Sequence, residues 1–314
     1  MKKVYFRRPE RRKSRDRGFL RLQGAVLGPY YWRVAHLLDT PGLSFHRKCA
    51  ALGVRLMAAP GIRFREAYDL IFRPMDSVRY FEFGTLWEYL QSNTRNVTRY
   101  LDVSSPRLFP MMLINEFHGA TGEILNPDGK DLDATVRLMD AAGLSGRCRF
   151  HRKTVDEIDF PPGTFDLVTS ISALEHIPDG GDRRAFERLW LSLRPGGSLL
   201  MSVPCAREPF EEYMDFNEYG LLAPDGEGFV FGSTCYDAQM LRERFFAVAG
   251  EPARISVYGE RTAGSFFRNR SEKIGNPDYP FWREPYMVGR EYRRFGAIEE
   301  LPGIGIAAME FMKT

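Results

Sequence analysis

The sequence lacks any apolar run long enough to cross a membrane as a helix, which takes roughly 18 residues. Its nearest approach, "LQGAVLGPYYWRVAHLL", is interrupted by Pro29 and Arg33. The basic start is not followed by the apolar stretch that a secretion signal needs. Cysteine is scarce: Cys49, Cys148, Cys205 and Cys235 are far apart, with no Cys-x-x-Cys pair and no His cluster nearby. That spacing argues against a zinc site, and no metal is expected; it fits free thiols in a reducing compartment. The expected location is therefore cytoplasmic. There is no internal repeat and no long low-complexity tract. Nothing matches G-x-G-x-x-G, and no Tyr-x-x-x-Lys pair stands out, which disfavours a dinucleotide-dependent oxidoreductase.

What is present fits a soluble chain with a real core. Of 314 residues, 44% are hydrophobic and 27% charged, enough for one large α/β domain with an appendage. The net charge of +3 does not point to specific nucleic-acid binding, but its distribution is uneven. "MKKVYFRRPERRKSRDRGFLR" is opposed only by Glu10 and Asp16. Residues 1–22 read as a flexible basic tail; the other reading is electrostatic contact with anionic lipid, RNA or an acidic partner. Residues 23–95 carry apolar residues at helical spacing in "FHRKCAALGVRLMA", "FREAYDLIF" and "FGTLWEYLQ", with breaks at Pro60-Gly61 and Pro74. They predict a helical N-terminal extension.

From residue 99 the texture changes. Short apolar runs ("RYLDV", "GEILN", "CRFH", "FDLVTSIS", "SLLMSVP", "RISVYGE", "IGIAAMEFM") alternate with amphipathic patterns at 132–144, 183–193 and 237–250. That alternation predicts a doubly wound, seven-stranded, mostly parallel α/β sheet covered on both faces, spanning 96–314. No helix is evident between the last two runs, and "GSFFRNRSEK" reads as a basic-aromatic loop. In such sheets ligands bind beyond the carboxyl ends of the strands. Those positions hold Asp102 and Ser104-Ser105-Pro106, then Asp128, then Thr154 to Glu157, then Glu175-His176.

The ordered set "YLDV", Asp128, "TVDEIDFPPGTFDLVTSISALEHIPD" and "ERLWLSLRPGGSLLMSVP" resembles the class I S-adenosylmethionine-dependent methyltransferases, small-molecule type. The resemblance covers about residues 80–205 well. It implies a Rossmann-like methyltransferase fold, S-adenosylmethionine as cofactor, and a small-molecule, sugar or lipid-linked acceptor, with oxygen the expected target. It places Asp128 on the ribose, Asp102, Ser104 and Ser105 toward the methionine end, and Val155, Asp156 and Ser172 on the remaining cofactor wall. Thr154 stands where the family often has an adenine-binding acid, so Asp156 or Glu157 would substitute. His176 is either a general base, since an imidazole titrates near neutral pH, or a support for its loop.

The family's first loop is glycine-rich, and here it is not. Ser105 followed by Pro106 reads as a helix N-cap and first-turn proline that could still offer backbone N–H groups to a ligand. Residues 205–236, rich in aromatics, are expected to form a lid over the acceptor. The alternative function is a methyltransferase-like binding or scaffold protein with weak or absent turnover.

Overall fold

A computed structural model describes residues 1–13, 17–92 and 96–314; the expected boundary at 95/96 falls at the edge of the undescribed 93–95. At its centre is an eight-stranded sheet in the order β10-β9-β11-β6-β5-β2-β3-β4. The five strands β2 (Arg99–Val103), β3 (Thr121–Leu125), β4 (Cys148–His151), β5 (Phe165–Ile171) and β6 (Leu193–Cys205) pair in parallel. β5 is buried along its whole length, as a strand covered on both faces must be. The last strand, β11 (Gly305–Met312), lies antiparallel between β6 and β9 (Arg254–Glu260). Winding runs outward from β2 to the β4 edge, then returns to β5 beside β2. The order therefore switches between β2 and β5.

All seven expected strands are present, and an eighth, β10 (Tyr292–Phe295), adds to β9. The stretch read as a loop is instead helix α10 (Ser265–Gly275), followed by α11 (Glu284–Glu291). Basic residues of α10 are taken up by acids outside the helix: Arg270 pairs with Glu212 at 2.6 Å and Lys273 with Glu284, at the start of α11, at 3.1 Å. Glu212 lies 58 residues before Arg270, so local periodicity did not betray the helix.

The N-terminal extension is helical, as expected: α1 (Arg17–Leu37, running through Pro29), α2 (Leu43–Leu56), α3 (Phe64–Phe72) and α4 (Arg79–Ser92). It is not a separate layer. Phe45 of α2, Phe83 and Trp87 of α4, and Phe109 of α5 (Leu108–Glu116) stack with ring centroids 5.2–5.9 Å apart. These rings join one core cluster that also contains Tyr100, Leu167 and Leu200 of the sheet. On the opposite face, α7 (Gly181–Ser192) buries Phe186 against Phe245 and Phe311. The N-terminal tail also departs from expectation. Residues Lys2–Phe6 form β1, which pairs in parallel with β7 (Phe210–Met214), itself antiparallel to β8 (Val230–Cys235). This small sheet is built from the segment expected to form a lid. Tyr5 packs edge-on against Phe229 at 4.9 Å, and Arg270 lies over the Phe6 ring.

Phe109 is fully buried where the extension meets the sheet. Phe109→Ala is expected to cost about 3–5 kcal/mol of unfolding free energy, measured by urea denaturation, with α2, α4 and the sheet lost in one transition.

Candidate active site

Beyond the carboxyl ends of β2, β3, β4 and β5, at the switch in strand order, lies a cavity of about 490 Å³. That volume is typical of a small-molecule site. Its floor is the strand-end turns. Its roof is formed by Met214 of β7, Val230, Phe231 and Gly232 of β8, and Asn217, Glu218, Tyr219, Leu221 and Leu222 from the connecting loop.

The strand-end turn after β2 keeps the conformation a glycine would supply. Ser104 sits at φ +53°, in the left-handed region, and its N–H donates to Leu125 O at 2.8 Å. Ser104 lines the cavity. Ser105 does not cap a helix: α5 starts at Leu108, after Arg107. The Ser105 hydroxyl accepts from Ile171 N at 3.1 Å and its own N–H donates to Asp102 Oδ2 at 3.2 Å, which ties the turn to β5. Ser105 is therefore buried, away from the cavity lining. Arg107 pairs with Asp131 at the cavity edge.

Asp102, expected to reach the ligand, does not line the cavity. Its carboxyl is buried and receives the Tyr100 hydroxyl at 3.0 Å and the Thr169 hydroxyl at 2.6 Å. Burial pushes its pKa up to about 7, with the hydrogen bonds from Thr169, Ser105 and Tyr100 opposing that rise. Its role is to hold the turn from beneath. Sequence position located this acid correctly; only three-dimensional burial reveals that it faces inward.

Asp128 does line the cavity, at the end of β3. It also caps α6 (Gly129–Ala141), accepting from Lys130 N at 2.9 Å and Asp131 N at 3.4 Å. Both bonds fall on Oδ1; among the described residues Oδ2 has no protein partner, so capping and ligand binding are compatible. After β4, Thr154, Val155 and Asp156 reach the cavity wall. Glu157 turns back to its own turn, accepting from Thr154 N at 2.7 Å and Thr154 Oγ1 at 3.0 Å. That leaves Asp156 as the acid on this wall.

Ser172, at φ +47° after β5, lines the cavity and donates to Glu82 Oε1 at 2.5 Å. Glu82 is a fully buried carboxylate on α4. It also receives the Ser202 hydroxyl at 2.8 Å and the Arg79 guanidinium at 2.5 Å. Arg79 in turn lines the cavity. The sequence reading passed over Arg79 and Glu82 because they lie in the extension. The available signal was a lone glutamate among the aromatics of "YFEF", three residues after Arg79.

His176 reaches the cavity from the loop after β5. Its Nδ1 lies 2.5 Å from Gly232 O, a carbonyl that only accepts, so Nδ1 carries the proton and Nε2 presents its lone pair. Burial lowers its pKa to about 4, overriding the Gly232 carbonyl, so the ring is neutral at physiological pH. Nε2 lies 3.4 Å from the Tyr219 hydroxyl on the loop between β7 and β8. Next to it, Glu175 is buried with Oε2 unpartnered; burial, reinforced by Glu82, raises its pKa to about 8.

Asp102 and Glu175 give a signed pH effect. Each keeps its proton in the folded state above the pH at which the unfolded chain releases it, near 4. Their contribution is fully present below pH 4 and is lost as pH rises to about 7 for Asp102 and about 8 for Glu175. Asp102→Asn, which cannot ionise, is expected to flatten the decline in thermal midpoint between pH 4 and 7, followed by calorimetry.

Residues 115–197, spanning β3 to the start of β6, match a family model described as a methyltransferase domain. Among curated proteins, the chain is similar to phosphoethanolamine N-methyltransferase of Plasmodium falciparum, 28% identical over 40% of this chain and 48% of that one. It is similar also to the ubiquinone/menaquinone biosynthesis C-methyltransferase of Psychromonas ingrahamii, 30% identical over 35% of this chain and 44% of that one. A longer match, 24% identical over 71% of this chain and 57% of the relative, is to sterol 24-C-methyltransferase of Pneumocystis carinii. The chain thus spans about half the length of these relatives. The family match lies on the strands that floor the cleft, so residues 115–197 are similar to a methyltransferase domain in the part of the chain that builds the cavity.

Proposed function

We propose that this chain transfers a methyl group from S-adenosylmethionine to a hydroxyl of an apolar small-molecule or lipid-linked acceptor. The observation that carries the proposal is the convergence of Asp128, Arg79 and the unprotonated Nε2 of His176 on one cleft at the sheet's switch point.

The lining fits the donor. Asp128 Oδ2 suits the paired hydroxyls of a ribose, and Arg79, fixed by Glu82, suits a carboxylate. Leu125, Val155, Leu174 and Ile177 offer apolar faces to a base, with Asp156 beside them. When bound, the donor supplies an electrophilic methyl on a sulfonium. Transfer is then an in-line displacement, governed mainly by how closely and squarely donor and acceptor are held. The lid supplies that hold and excludes water through Met214, Leu221, Leu222 and Phe231. These apolar side chains favour an acceptor with a hydrocarbon body over a free sugar.

Oxygen as target rests on His176. A neutral imidazole whose Nδ1–H is committed to Gly232 O can accept a hydroxyl proton only at Nε2. With a pKa near 4 it is a weak base toward a free alcohol. An oxygen that is gaining a carbon becomes far more acidic, so the proton can pass to Nε2 as the new bond forms. Tyr219 beside Nε2 orients the incoming hydroxyl. The matched relatives are named for nitrogen and carbon targets, so the oxygen reading stands on this geometry alone.

Calorimetric titration should give saturable binding of S-adenosylmethionine and S-adenosylhomocysteine, weakened at least tenfold by Asp128→Ala. Binding of NAD in their place would overturn the reading. With a long-chain phenol or hydroxylated lipid as acceptor, His176→Gln should lower kcat by roughly 100-fold or more while S-adenosylhomocysteine affinity holds. Because His176 is neutral above about pH 4, no activity loss near pH 6.5 should trace to it. Such a limb, absent in His176→Gln, would contradict the assigned protonation.

A further inference from the structure

Helix α1 has two faces of opposite fate. One packs inward: Ala35 is fully buried, Tyr31 meets Trp282 and Tyr286 at 5.3 and 5.1 Å, and Trp32 meets His46 at 4.6 Å. The other presents Phe19, Leu22, Val26, Tyr30 and Leu37, which are 59%, 61%, 66%, 63% and 85% exposed. Their spacings of three, four, four and seven residues place them in one stripe along the helix. Eighteen residues of helix span about 27 Å, so this is a long exposed apolar ridge. Soluble surfaces scatter single exposed apolar residues, whereas an aligned row of this kind marks a contact.

Charge identifies the kind of contact. The first 37 residues contain eleven Lys and Arg against Glu10 and Asp16 alone, although the whole chain carries only +3. The rest of the molecule is therefore net acidic, and the positive charge is concentrated around this helix. Arg11, Arg12 and Lys13 are exposed just before it, and exposed Arg33 lies within the stripe. A second copy of the chain laid on this ridge would bring two strongly cationic segments together, which disfavours self-association. Nucleic acid would meet the charge but leave the apolar row without a partner. An anionic bilayer satisfies both: apolar side chains enter the headgroup–acyl boundary while Arg and Lys meet lipid phosphates. No helix among the described residues is long and apolar enough to cross a membrane, so such contact would be peripheral.

We propose that α1 is an interfacial helix that docks this protein on an anionic lipid surface through Phe19, Leu22, Val26, Tyr30 and Leu37. The docking helix is joined to the lid. Residues 2–6 form the outer strand of the lid sheet, and the chain leaves it at Phe6 toward α1. Taken with the proposed methyl transfer, which it rests on for this point alone, docking would bring the mouth of the cleft to acceptors held in the bilayer.

The test uses the full chain and vesicles of phosphatidylcholine, with or without 30 mol% phosphatidylglycerol (composition chosen for the assay), read by co-sedimentation. The expected result is binding to the anionic vesicles at least tenfold stronger than to neutral ones, with a further loss in 0.5 M NaCl set by screening. The triple variant Leu22→Gln/Val26→Gln/Tyr30→Gln changes only exposed positions and should lower binding at least tenfold. Arg11→Glu/Arg12→Glu/Lys13→Glu should remove the preference for anionic lipid. Equal, weak binding to both vesicles would overturn the proposal, as would wild-type affinity in the triple variant. A dimer in sedimentation velocity that the triple variant dissociates would assign the ridge to a second copy instead. Tight binding to RNA with none to vesicles would likewise overturn it. S-adenosylhomocysteine affinity is measured on the same samples. Unchanged affinity shows that the variants fold, and failure of cofactor binding in the wild type would count against the methyltransferase reading without touching the lipid result.

Discussion

A carboxylate sealed from water holds this structure together where it matters. Glu82 enters the core from α4 and takes two serine hydroxyls, one at the end of β5 and one in β6, together with the guanidinium of Arg79. Burying an unpaired carboxylate is costly, and losing one partner of a buried pair is costly too. The extension therefore cannot drift from the carboxyl ends of the strands without breaking these bonds. This one carboxylate fixes the strand-end turn at Ser172, aims a cation into the cleft, and ties the N-terminal helices to the sheet that floors it.

The same economy appears around Asp102. The expected glycine-rich loop is replaced by a serine turn held from below by a carboxyl that is half-protonated near neutral pH. Ser104 accepts a left-handed conformation that glycine would take freely, and the network of Ser105, Tyr100 and Thr169 offsets that strain. The missing glycines thus do not abolish the turn. They shift its support from backbone freedom to buried hydrogen bonds. The price is rigidity in a loop the ligand must approach.

Much of the fold was legible because parallel strands covered on both faces announce themselves as short, nearly continuous apolar runs. "FDLVTSIS" became β5 and "IGIAAMEFM" became β11. What escaped depends on partners far along the chain. β1 looks like a solvated basic tail until Lys2–Phe6 meets β7 more than two hundred residues away. α10 reads as a loop until Arg270 finds Glu212. At the site, strand-end position pointed to Ser104, Asp128, Val155, Asp156, Ser172 and His176, and the structure places all six on the cavity lining. It could not tell that Asp102 and Ser105 turn inward, because which way a strand-end side chain faces is decided by packing. Arg79 and Glu82 were missed for a related reason: helical periodicity describes α4 well and says nothing about the sheet it abuts.

The central claim is that the Glu82 cluster makes the cleft competent for its cofactor. Its most direct test is calorimetric titration of S-adenosylhomocysteine into wild type and Glu82→Gln at pH 7.5, on samples with matching circular dichroism spectra. The amide keeps the shape and can still receive the two serine hydroxyls, but no longer holds Arg79 by charge. The account predicts at least tenfold weaker binding in the variant. Equal affinity in a folded Glu82→Gln protein would contradict it.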